Sequence, residues 1–169
     1  MAAVDAVVIV DPYSSGRFLL YDLKERGLPI ICVRSSLRLG PFFLKVYDTH
    51  RDYFAETLDF EDELSSDLEL LVEKLKSLPY RVRAVFGGCE PGVELAERLA
   101  EALALPTANG CELLHARKDK AEMQEQLRRS GVPAAAQCKS GQLEELLAWA
   151  RDFGQWPLVA KPISSSGSD

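Results

Sequence analysis

At 169 residues, with 47% hydrophobic and 27% charged side chains, the chain is the size of one globular domain, with or without a small appendage. A net charge of −6, with no stripe of lysine and arginine, argues against a nucleic-acid partner, and no apolar run approaches a membrane span. The four cysteines, Cys32, Cys89, Cys111 and Cys138, lie far apart without C-x-x-C or zinc-ligand spacing, so reduced thiols in a cytoplasmic protein and no metal site are expected.

In chain order, "AVVIV" (Ala6–Val10) is a short continuous apolar run between aspartates, the mark of a strand buried on both faces rather than of a secretion signal. "DPYSSG" is turn chemistry, and the amphipathic "RFLLYDLKERG" reads as a helix stopped where Gly27 supplies a left-handed residue. "PIICV" (Pro29–Val33) is a second buried strand, completing a β-α-β unit. Between Ser35 and Phe60, "FFLKVY" and "YFAETLDF" are expected as strands, with His50 and Arg51 in their connection. "SSDLELLVEKLKSL" from Ser65 has a serine cap, acids in its first turn and lysines in its last.

"RVRAVFGG" (Arg81–Gly88) is a strand ending in a double glycine, and "CEPGVELAERLAEALAL" is a helix with Pro91 near its start. Alternation of strands and helices predicts an α/β fold, an open, mainly parallel sheet flanked by helices, over residues 1–110. A linking helical segment, 111–131, contains "KDKAEMQEQLRRSG", with Asp119 near its start and Gly131 past its end. From Val132 a smaller unit begins in β-α-β order: "VPAAAQC", the helix "SGQLEELLAWARDFG" and the strand "PLVAK".

Each candidate for chemistry has a plain structural alternative. Asp11, Ser14 and Ser15 follow a strand and precede a helix, where backbone N–H groups hold anions, yet the same residues suit a turn and a helix cap. Glu90 in "FGGCEPGV" is a strand-end carboxylate able to hold an amine, or an acid settled on a helix dipole. Lys118 and Lys120 stand at the helix end that dipole logic disfavours for cations. Lys161 closes an apolar strand, where an ammonium reaches out toward an anion such as a phosphate, or is an edge lysine before a Ser/Gly linker. His50 and His115 are solitary and read as packing or surface histidines.

Three motifs in order carry more than any one alone. "GGCEPGVELAERLAEALALPTANG", "RKDKAEMQEQLRRSGVPAAA" and "WPLVAKPISSSGSD" together resemble the ATP-grasp superfamily, on its L-amino acid ligase and biotin carboxylase side. The resemblance spans the chain, diffusely before Ala84 and sharply after it. It implies a pre-ATP-grasp, Rossmann-like domain (1–110), a linking helix (111–131) and an incomplete start of the lid subdomain (132–169). It also implies ATP and Mg2+ as cofactors, with Lys120 and Lys161 on the nucleotide phosphates. Ser164, Ser165, Ser166 and Gly167 then begin the loop that closes over the triphosphate. Glu90 falls in a substrate pocket near the amino group of an amino acid, and Ser14 and Ser15 face the same cleft.

By that resemblance the activity is ATP-dependent joining of a carboxylate to an amine through an acyl phosphate. "SSSGSD" is poorer in glycine than such loops usually are, and the magnesium ligands and adenine-binding strand are expected outside this chain. These residues alone are therefore expected not to turn over, and the rest of the polypeptide or a complementing chain is the expected partner. An unfinished sheet edge is also compatible with a homodimer. The rival expectation is a non-catalytic α/β scaffold or binding subunit derived from an ATP-grasp protein.

Overall fold

The apolar run at the start folds as β1 (Val4–Val10), the strand around which the sheet is built. The computed structural model describes residues 3–35, 41–60 and 67–162. The chain divides into two compact units, Met1–Cys111 and Glu112–Asp169.

In the first unit β1 is joined in parallel by β2 (Ile30–Arg34) and β4 (Tyr80–Gly87), and β3 (Phe54–Asp59) adds beyond β2, giving the order β3-β2-β1-β4. This is the predicted α/β class with a parallel sheet. Side chains of β1 alternate between two faces, as the strand period requires. Ala6, Val8 and Val10 pack with Ile31 and Val33 against Leu71 and Leu75 of α3 (Asp67–Ser77) and Leu95 and Leu99 of α4 (Val93–Ala102). Val7 and Ile9 face the other way, with Ile30, onto Leu20 of α1 (Arg17–Glu25). The sheet is thus covered on both faces, which is why β1 and β2 are apolar without interruption. Gly27, at φ +66°, takes the left-handed conformation expected two residues past α1.

One predicted strand is a helix. "FFLKVY" lies within α2 (Pro41–His50), while "YFAETLDF" holds β3 as expected. Aromatic and β-branched residues suggest a strand, but their spacing decides: Phe43 and Tyr47, four apart, enter one cluster with Tyr13, Cys32 and Cys89. His50 ends α2 as a buried packing residue, its ring nitrogens 2.8 Å from the Tyr21 hydroxyl and 2.8 Å from Val46 O. The Ser65 cap proposed for α3 lies outside the described residues.

The second unit holds α5 (Leu114–Lys118), α6 (Lys120–Arg129) and α7 (Leu143–Phe153), the last closed by left-handed Gly154. The predicted strands "VPAAAQC" and "PLVAK" carry no sheet pairing among the described residues. An apolar run becomes a strand only when a neighbour supplies its ladder, and among the described residues none does.

Candidate functional site

Strand order reverses at β1, whose successor β2 lies on one side and β4 on the other. At such a point the loops leaving adjacent strands lead to helices on opposite faces, and it is there that open α/β sheets bind ligands. Here the loop after β1 runs Asp11–Gly16, and the loop after β4 starts at Gly88 and passes Glu90 into a 3-10 turn, Glu90–Gly92.

The two loops dock backbone to backbone. Gly88 N donates to Val10 O at 2.6 Å and Gly16 N donates to Gly88 O at 3.0 Å. A Cβ on Gly16 would fall 2.2 Å from Gly88 Cα, and one on Gly88 would fall 2.5 Å from both Asp11 O and Pro12 Cα. Only glycine fits at this seam. Gly92 closes on the same place, its virtual Cβ 2.8 Å from Val10 O.

Asp11 is fully buried and adopts φ +52°, a left-handed conformation that aspartate tolerates better than most residues. Its carboxylate does not cap α1, which lacks a side-chain cap. It instead accepts from Ser35 N at 2.8 Å and from the Ser35 hydroxyl, tying the end of β1 to the end of β2. Burial raises its pKa, favouring the neutral form, and the two Ser35 donors pull it back. The expected turn at Asp11 is found, but the expected cap is replaced by this cross-strand tie.

Tyr13 is buried beneath the same loop among Phe43, Cys32, Tyr47 and Cys89, and its hydroxyl has no partner among the described residues. Burial holds it as the neutral phenol. Burial likewise pushes the Cys32 thiol up and raises Cys89 to about 11, so both are thiols, not thiolate nucleophiles, near neutral pH.

Ser14, Ser15 and Glu90 are exposed above this buried floor, on the two loops that the glycine seam fastens together. Hydroxyl donors and a carboxylate acceptor at a sheet switch point suit a small polar ligand with an amino or carboxylate group. Sequence reasoning singled out these three positions as candidates. It named Asp11 but did not foresee its tie to Ser35, the burial of Tyr13 or the Gly16–Gly88 contact, for which the available signals were an acid directly after an apolar strand and glycines in both loops.

The predicted phosphate-binding residues lie in the second unit. Lys120 is the half-buried first residue of α6, and Lys161 is exposed in the unpaired "PLVAK" segment. Ser164, Ser165, Ser166 and Gly167 lie outside the described residues. Asp119, not Lys118, adjoins the start of α6: it is the N-cap, accepting from Ala121 N at 2.8 Å and Glu122 N at 3.0 Å, while Lys118 ends α5. Lys139 Nζ donates to the other Asp119 oxygen at 2.9 Å. That ammonium, followed by the Glu122 amide, holds the Asp119 carboxyl down to about 2. Lys120 and Lys161 each carry a primary ammonium, chemistry that suits phosphate oxygens. Among the described residues no group of three or more His, Cys, Asp or Glu side chains gathers as a cation site. No described helix is long and apolar enough to cross a membrane.

No family model matches the chain. It is 33% identical over 165 residues, 98% of its length, to dapdiamide A synthase of Enterobacter agglomerans. This likeness supports a relationship of the chain to the ATP-grasp superfamily. Its fold agrees: the crystal structure of an L-amino acid ligase from Bacillus licheniformis superposes with a TM-score of 0.61 at 15% identity, over 97% of this chain. The chain spans 37% of the length of each of these two proteins.

Proposed function

We propose that this chain is the N-terminal portion of an ATP-dependent ligase that joins a carboxylate to an amine, one of them carried by an amino acid, through an acyl phosphate. The observation that carries the reading is the 33% identity to a ligase of this superfamily across 98% of the chain. The glycine seam and its exposed Ser14, Ser15 and Glu90 support a small-molecule site in the first unit.

In the reaction, a substrate carboxylate oxygen attacks the terminal phosphorus of ATP and ADP leaves. The amine then attacks the acyl carbon and phosphate leaves, with the amine's proton lost to solvent or to a base. Lys120 and Lys161 bind phosphate oxygens and neutralise charge that builds during the transfer, which is electrostatic help. Glu90 receives the substrate's ammonium, and Ser14 and Ser15 orient its polar groups. Magnesium, when bound, shares the phosphate charge, on ligands supplied by the rest of the polypeptide or a complementing chain. Residues 1–169 by themselves bind without turning over.

The test is amino-acid-dependent release of ADP by the full-length protein, with Lys161→Ala beside it. Loss of about 100-fold or more in kcat/KM for the variant is expected, the size of removing one preorganised charged donor. Unchanged ADP release in Lys161→Ala, or none from the parent with any amino acid, overturns the reading in favour of a scaffold.

A further inference from the structure

The segment after α6 is fastened along that helix by polar contacts. Arg128 Nη2 donates to Ala135 O at 3.0 Å, and Ala135 N donates to Gln124 Oε1 at 2.8 Å. Gln137 Nε2 donates to Ala121 O and to Glu125 Oε1, each at 2.9 Å. Lys139 Nζ reaches Asp119 Oδ2 at 2.9 Å. The contacts come from residues 135, 137 and 139, the period of an extended chain. Their partners move steadily toward the start of the helix. The lengths agree: four extended residues cover about 13 Å, and the nine helical steps between 128 and 119 cover about 13.5 Å. The segment is a strap running antiparallel to α6 and ending on its cap.

At that end Asp119 divides its carboxylate. Oδ1 holds the first turn of α6 through Ala121 N and Glu122 N, and Oδ2 holds Lys139. The pair is partly sheltered, with the Asp119 side chain 12% exposed and that of Lys139 43%. A cap alone would fix the helix start to Asp119. The lysine in addition fixes Asp119 to the strap, and Lys120 is the next residue in the chain. Because Lys139 is charge-paired with Asp119, it offers little net charge of its own to an anion.

We propose that Lys139 is a positioning residue for Lys120: through the Asp119 carboxylate it sets where the Lys120 ammonium meets a nucleotide's phosphates. This rests on the ligase reading of Lys120. A phosphate contact depends on a fraction of an ångström, and lysine's flexible stem does not by itself provide it, so the backbone must.

The experiment titrates the full-length protein and its variants with a fluorescent ATP analogue in the presence of magnesium. Lys120→Ala is expected to abolish measurable binding. Lys139→Met is expected to weaken it about tenfold, as for loss of one charge-assisted contact. Lys139→Arg should restore most of the affinity. Asp119→Asn, which keeps the helix cap but loses the charge pair, should behave as Lys139→Met, and the double variant should be no weaker than either. Should Lys139→Met fail to fold, Asp119→Asn carries the same comparison. If Lys139→Met weakens binding as much in the Asp119→Asn background as alone, Lys139 acts without Asp119 and the positioning role is overturned. If Lys120→Ala loses binding while Lys139→Met does not, the positioning role falls and the ligase reading stands. If Lys120→Ala binds as the parent does, the reading of Lys120 falls and this inference with it.

Discussion

The two units of this chain are held together by different forces. The three apolar clusters all draw on the first unit, in which β1 and β2 disappear between helices. In the second unit Ala150 is the one buried apolar residue among the described residues, while Leu143 is 63%, Trp156 68% and Val159 77% exposed. Its order comes from a capped helix, a strap of side-chain hydrogen bonds and ion pairs such as Arg128 with Glu125. Apolar burial is the dominant stabiliser of folded chains, whereas exposed polar contacts contribute about 1 kcal/mol or less each. The first unit therefore carries the stability, and the second carries a geometry that polar contacts define.

The contrast breaks most readily in the first unit. Leu99→Ala should cost about 2–5 kcal/mol, because Leu99 is fully buried between α4 and the sheet. Chemical denaturation would show it, and a loss under 1 kcal/mol would mean the core is not where stability resides. Gly88→Ala should cost about 1–3 kcal/mol, since the added carbon meets backbone that has nowhere to go. Tyr13→Phe should be neutral or stabilising by about 1 kcal/mol, because the hydroxyl it removes is buried without a partner among the described residues. A clear destabilisation would reveal a bound water or neighbour at that oxygen.

Acid sharpens the comparison because the two units respond with opposite signs. Asp119 has an ordinary value of 3.8 and a folded value of about 2. Its contribution is complete above 3.8 and is lost as the pH falls through about 2. Asp11 is shifted upward from 3.8, so the folded state takes its proton more readily than the unfolded chain does. Its effect on stability therefore improves as the pH falls through its raised value toward 3.8. Carboxyl-carbon NMR should find Asp119 titrating last and Asp11 above the ordinary range. The smallest effect belongs to Leu143→Ser in α7, expected within about 0.5 kcal/mol because that side chain is largely exposed. A loss comparable with that of Leu99→Ala would show α7 to be packed after all.

What could be read in advance follows the same division. The strands β1 and β2 were legible because burial on both faces forces unbroken apolar runs, β4 because its run ends in a double glycine, and α3, α4, α6 and α7 because of their helical spacing, with left-handed Gly131 and Gly154 past the last two. α2 was misread because Phe42, Phe43 and Tyr47 favour strands locally, while the partners that select helix, Tyr13 and Cys89, come from distant loops. "PLVAK" was misread because a strand is a relation between segments. Among the candidate residues, Glu90, Ser14 and Ser15 stood out as polar side chains beside strand ends. The Asp11 tie to Ser35 depends on two strand ends lying side by side, and the Lys139 strap on a chain reversal, neither of which local spacing encodes.

The seam between Gly16 and Gly88 has a practical corollary. Because the two loops share one backbone junction, the exposed side chains at their mouth are separable from the architecture beneath them. A test of the proposed site has three exposed side chains, Ser14, Ser15 and Glu90, to diversify at little risk to folding. A library should leave Gly16, Gly88 and Gly92 fixed, since each substitution there would test the scaffold instead of the specificity.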